Sequence, residues 1–89
     1  MKRCVLDARH DSRAKVFAAL ARDLGFPPHA AGNLDALWDV LRTDIAGPIE
    51  IVWRDSARAR AALGTDFEAI AGVLREVAAA RRDVTLRFD

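Results

Sequence analysis

The stretch Asn33-Leu34-Asp35-Ala36-Leu37-Trp38-Asp39-Val40-Leu41-Arg42-Thr43-Asp44-Ile45, followed by Ala46-Gly47-Pro48 and then Ile49-Glu50-Ile51-Val52-Trp53, decides the fold. Two periodicities meet at Gly47-Pro48. Before it, Leu34, Leu37, Trp38, Leu41 and Ile45 recur at three- and four-residue steps, the spacing of one helix face. Asn33 suits the N-cap, because its side-chain oxygen can accept from N–H groups that the first turn leaves unpaired. Pro48 lacks an N–H and Gly47 leaves helical geometry easily, so the helix stops there. After it, Ile49, Ile51 and Trp53 share one face of a strand. The segment reads as central enough in a sheet to be covered on both sides.

Working outward, the same alternation continues in both directions. Residues 2–8 read as a strand, with Cys4 and Leu6 on one face and Arg3 and Val5 on the other. Asp11 or Ser12 caps a helix running to Leu24, with Phe17, Leu20, Ala21 and Leu24 as its stripe and Gly25 as its stop. Phe26-Pro27-Pro28 must be extended and stiff. Downstream, Asp55 or Ser56 opens a short helix to Leu63, closed by Gly64. Thr65 with Glu68 reads as a capping box for a long helix striped by Phe67, Ile70, Ala71, Leu74 and Val77. Residues 83–88 form the last strand, Val84, Leu86 and Phe88 facing away from Thr85 and Arg87. Strands joined by helical crossovers pair in parallel with right-handed connections. The expected fold is therefore a small single α/β domain over residues 1–89, a three-stranded parallel sheet with four helices. Crossovers that keep their helices on one side are expected to put the first strand in the middle.

Size and composition agree. With 89 residues and 52% hydrophobic content the chain can build one core and no more. A single cysteine, Cys4, excludes an internal disulfide and fits a reducing compartment. No apolar run reaches the roughly 20 residues of a membrane span, and the first residues are too short for a signal peptide, so cytoplasm is the expected location. A net charge of +1 argues neither for a nucleic-acid binder nor for a general acidic mimic, leaving recognition to the placement of charges rather than their sum.

That placement is most specific on the second helix. At about 100° per residue, Asp35 and Asp39 fall together, well away from the Leu34, Leu37, Trp38 and Leu41 stripe. Two aspartates at i and i+4 repel by about 0.2–0.5 kcal/mol, partly offset for Asp35 by the helix N-terminus. From this alone, a solvated acidic first turn and a binding face are equally good readings. An enzyme is not indicated. No glycine-rich phosphate loop follows a strand, and the aspartate pair has no third ligand for a magnesium site. His10 and His29 likewise lack a third ligand with metal spacing, so neither metal nor cofactor is expected. Cys4 reads as buried filler, and Trp38 and Trp53 as core residues whose indole N–H groups should find acceptors. Arg54, Arg58, Arg60, Arg81 and Arg82 read as solvated helix surface and C-terminal helix charges.

The run Asn33-Leu34-Asp35-Ala36-Leu37-Trp38-Asp39 resembles the central motif of the barstar family, intracellular inhibitors of the secreted guanyl-specific ribonuclease barnase. Leu24 to Pro27, Pro48, Trp53-Arg54, Leu74-Arg75-Glu76 and Asp83-Val84-Thr85 extend the likeness along the chain. The resemblance implies a three-stranded parallel sheet with helices, and an inhibitor rather than an enzyme. Carried over by position, Asp39 would take the place of a substrate phosphate, Asp35 would lie beside it, and Glu76 would reach a basic side chain at the rim. Asn33 and the loop of residues 29–32, including His29 and Ala31, would contact the enzyme by backbone and shape. The implied partner is a basic extracellular-type ribonuclease, bound by a free monomer that touches neither nucleic acid nor membrane.

The chain also departs from that pattern. His29-Ala30-Ala31-Gly32 stands where the family has an aromatic pair followed by glycine and glutamate, removing large rigid contacts. Arg42 replaces a small hydroxyl residue three positions after Asp39. It would either pair with Asp39 in the free protein or meet an acidic patch on the partner. Thr43-Asp44 replaces a glycine and an aromatic, and the net charge is not acidic. These differences point to a ribonuclease other than barnase itself, or to an adaptor that binds a non-nuclease partner through the same scaffold.

Overall fold

A computed structural model describes residues 1–27 and 32–89. Strand β1 (Lys2–Leu6) is followed by α1 (Arg13–Leu24) and α2 (Leu34–Asp39), whose last turn continues as a π turn (Val40–Asp44). Then come β2 (Ile49–Trp53), α3 (Ser56–Leu63), α4 (Thr65–Ala80) and β3 (Val84–Phe88). Four helices and a three-stranded parallel sheet give the expected α/β fold.

The punctuation residues explain the helix ends. Ser12 caps α1 by accepting from the Lys15 N–H, and Gly25, at φ 74°, closes it by returning its N–H to the Ala21 carbonyl. Thr65 is the first residue of α4 rather than its cap, and no side chain caps that helix. The expected capping box does not form because α3 and α4 are joined tightly at Gly64, whose φ of 59° and ψ of −130° suit glycine. Glu68 instead pairs with Arg60 across that corner at 3.2 Å.

The strand order is β1-β2-β3, which corrects the expectation that β1 lies in the middle. Consecutive right-handed crossovers keep their helices on one face only if both step in the same direction. A central β1 would reverse the second step and send its helices across the sheet. The burial pattern had the same content. Four of the five β2 residues are buried, whereas β3 and most of β1 alternate. Pairing aligns Leu6, Trp53 and Phe88 in one row and Cys4, Ile51 and Leu86 in the next. These rows meet residues from all four helices in one core cluster, including Leu20, Leu37, Leu63 and Leu74.

Trp53 is fully buried, its ring centroid 4.7 Å from Phe67 and 6.2 Å from Phe88. Its indole N–H has no hydrogen-bond partner among the described residues, contrary to the expected acceptor. Cys4 is buried as expected, and desolvation pushes its thiol up to about 12, with the neighbouring Asp23 carboxylate adding to the shift.

Candidate partner-binding helix

The first turn of α2 is built by Asn33. With extended backbone, its Oδ1 accepts from the Asp35 N–H at 2.8 Å and the Ala36 N–H at 3.2 Å. The side-chain oxygen of Asn33 is thus engaged within the chain, and so is its carbonyl, which accepts from the Leu37 N–H at 2.9 Å. Arg13 of α1 steadies the approach to this cap, donating to the Gly32 carbonyl at 3.1 Å. Below, Leu37, Val40, Leu41 and Ile45 are buried, while Leu34 and Trp38 pack partly buried against the core. That buried underside fixes which way the helix faces.

Asp35 and Asp39 both point away from the core and are exposed. Neither forms an ion pair among the described residues. Glu76 is exposed on α4, the helix that packs against α2. His29 and Ala31 lie outside the described residues. Arg42 is exposed, and its guanidinium lies 5.0 Å from the centroid of the Trp38 ring.

The expected continuous helix from Asn33 to Ile45 changes pitch at Val40. The Ile45 N–H reaches back five residues to the Val40 carbonyl at 3.1 Å, which is π geometry. The Thr43 hydroxyl donates to the Asp39 carbonyl at 2.7 Å, adding a side-chain bond along the turn. The end of the turn is held from outside. Arg81, just beyond α4, donates through Nη1 to the Leu41 carbonyl at 2.6 Å and the Ile45 carbonyl at 2.8 Å. Its Nε and Nη2 bind Asp83 at 2.9 and 2.7 Å.

Arg81 is therefore not solvated surface, as its sequence context suggested; its side chain is only 16% exposed. It occupies the helix C-terminus, where unpaired carbonyls favour a cation. A Cβ at Gly47 would collide with the Asp83 carboxylate, so glycine there leaves room for the clamp. Arg60 is exposed as expected, and from the surface it pairs with Glu68 and lies over the Phe67 ring. Arg54, Arg58 and Arg82 are exposed as expected.

No cluster of three metal-ligating side chains occurs among the described residues, and none of their helices is long and apolar enough to cross a membrane. His10 is engaged locally, its Nδ1 accepting from the Asp7 N–H at 3.0 Å. The site is thus a convex acidic ridge on a capped and clamped helix, a shape suited to entering a cleft rather than enclosing a substrate. The order β-α-α-β-α-α-β, the motif helix and its outward aspartates all agree with the match of residues 1–89 to the family model described as Barstar (barnase inhibitor), and the chain belongs to that family.

Proposed function

We propose that this chain is a protein inhibitor that binds one molecule of a small, basic, microbial-type ribonuclease and blocks its active site. The carrying observation is the pair Asp35 and Asp39, exposed on one helix with no ion pair among the described residues. A ribonuclease cleft must be electropositive to hold RNA phosphates. A carboxylate on a stiff helix can occupy the same place with charge-assisted hydrogen bonds, and it offers no bond to cleave. Asp39 is the anchor in this reading, Asp35 lies beside it and Glu76 reaches the rim. Asn33, His29 and Ala31 contribute backbone and shape. The inhibitor acts as a monomer in the cytoplasm, as an immunity protein toward a nuclease made by the same cell, and touches neither RNA nor membrane.

The deciding experiment is titration of a guanyl-specific ribonuclease with the purified chain. Activity should fall linearly to zero at a 1:1 ratio. Calorimetry of Asp39→Ala should show a loss of about 2–4 kcal/mol, the range of a buried interface anchor. A loss below about 0.5 kcal/mol rejects Asp39 as the anchor. Arg42 is the observation that favours a second reading, an adaptor for a non-nuclease protein; an adaptor would leave ribonuclease activity untouched at every ratio.

A further inference from the structure

We propose that Arg42, seated on Trp38, selects the partner: it pairs with a carboxylate at the edge of the nuclease's basic cleft and is repelled by an edge that is basic throughout. The inference rests on the inhibitor reading and specifies which nuclease fits it. In a regular α-helix Arg42 would sit one turn from Asp39, close enough for an i, i+3 ion pair. In the folded chain it turns instead toward Trp38, four residues back, and its guanidinium lies 5.0 Å from the ring centroid.

Arg42 consequently has no ion pair among the described residues, although Asp39 and Asp44 are close in sequence. The positions outside the description, Pro28, His29, Ala30 and Ala31, carry no carboxylate that could supply one. Stacking on an aromatic face fixes the direction of a side chain that would otherwise sweep freely, and it leaves the guanidinium N–H groups open at the edge. The result is an aimed cation beside two aimed carboxylates on the same exposed ridge. Charge complementarity then sets the partner's layout: cations opposite Asp35 and Asp39, and an aspartate or glutamate opposite Arg42. Against a uniformly basic cleft the same arginine meets like charge, which weakens binding and rejects that nuclease.

The test uses calorimetry with a barnase-type ribonuclease of basic cleft and a panel of its variants, each with one cleft-edge residue replaced by glutamate. The inhibitors are the wild-type chain, Asp39→Ala, Arg42→Thr and Arg42→Lys. Against the parent nuclease, Arg42→Thr should bind about tenfold more tightly than wild type, and Arg42→Lys, which keeps the charge, should not. At least one glutamate variant should reverse the order, favouring wild type over Arg42→Thr by about tenfold in a double-mutant cycle. No gain on the parent, or no glutamate that reverses the order, overturns the inference. If Asp39→Ala still weakens binding in that case, the inhibitor reading stands without it. A wild-type chain and variants that bind none of the nucleases overturn the inhibitor reading and the inference together; an Asp39→Ala without effect rejects Asp39 as the anchor and with it the charge layout that the inference requires.

Discussion

Replacing Arg81 with methionine keeps most of the aliphatic stem and removes every donor of the clamp at the end of the π turn. Two partly buried carbonyls, those of Leu41 and Ile45, lose hydrogen bonds of 2.6 and 2.8 Å from a charged donor. A charged hydrogen bond contributes about 1.5–3 kcal/mol, and water can partly replace it at this depth. The expected loss is about 2–3 kcal/mol, a large fraction of the stability of so small a domain. Urea unfolding followed by tryptophan fluorescence should show a lower midpoint with an unchanged slope. In a thermal scan the melting temperature should drop by about 10–20 °C. Arg81→Lys should fall between the two, because an ammonium cannot reproduce the fork that serves two carbonyls and Asp83 together. Under conditions where the methionine variant is still folded, its affinity for the nuclease should also fall, since the turn that carries Asp39 and Arg42 has lost its outer support. An unfolding free energy within about 0.5 kcal/mol of wild type would refute the clamp as a stabilising device.

Two further predictions concern titration and reactivity. Hydrogen bonds from Arg9, Lys15, Arg22 and Arg81 hold Asp7, Asp11, Asp23 and Asp83 below the ordinary carboxylate range. A depressed folded-state pKa means that the unfolded chain binds more protons in acid. The contribution of these carboxylates should therefore be constant above about pH 5 and be lost as pH drops through and below 4; Asp23→Asn should reduce that slope, and equal midpoints at pH 7 and pH 3 would contradict it. Cys4, with its thiol pushed up to about 12 by burial, should resist a disulfide reagent at pH 8 in the native state and react promptly in urea; fast native-state labelling would show that the β1 interior is open.

The sequence reading succeeded where the signal was local. Ser12, Gly25 and Asn33 act on N–H and carbonyl groups within a few residues of themselves, so their roles could be read from type and position. The α4 stripe of Phe67, Ile70, Ala71, Leu74 and Val77 is buried residue for residue, because one face of a long helix against a core leaves periodicity little freedom. The outward placement of Asp35 and Asp39 followed from the same geometry.

What could not be read depends on partners distant in sequence. Arg81 binds carbonyls of the Leu41 and Ile45 turn, far upstream, and backbone acceptors carry no residue-type signature. The π turn at Val40–Asp44 has the apolar spacing of an ordinary helix, so nothing in the residue types marks it, and nothing marks the choice of Arg42 to cover Trp38 rather than pair with Asp39. Thr65 and Glu68 had the right spacing for a capping box, but Gly64 makes the corner and Arg60 takes the glutamate. The apolar composition of Ile49–Trp53 pointed to a central strand, as the structure has it, whereas crossover geometry alone pointed to β1.

The register of the sheet has a consequence for how the molecule assembles. Lys2 meets Ile49, and Ile49 meets Val84, so no strand has a neighbour nearer than a whole pair of helices along the chain. Each ladder closes a long loop before it returns any contact, which makes the helices the early, fast-forming parts and the sheet the slow step. Until that step is complete, the apolar row of Ile49, Ile51 and Trp53 stays open to other chains. Yield on refolding should therefore depend on dilution more steeply than it would for a helical bundle of the same length.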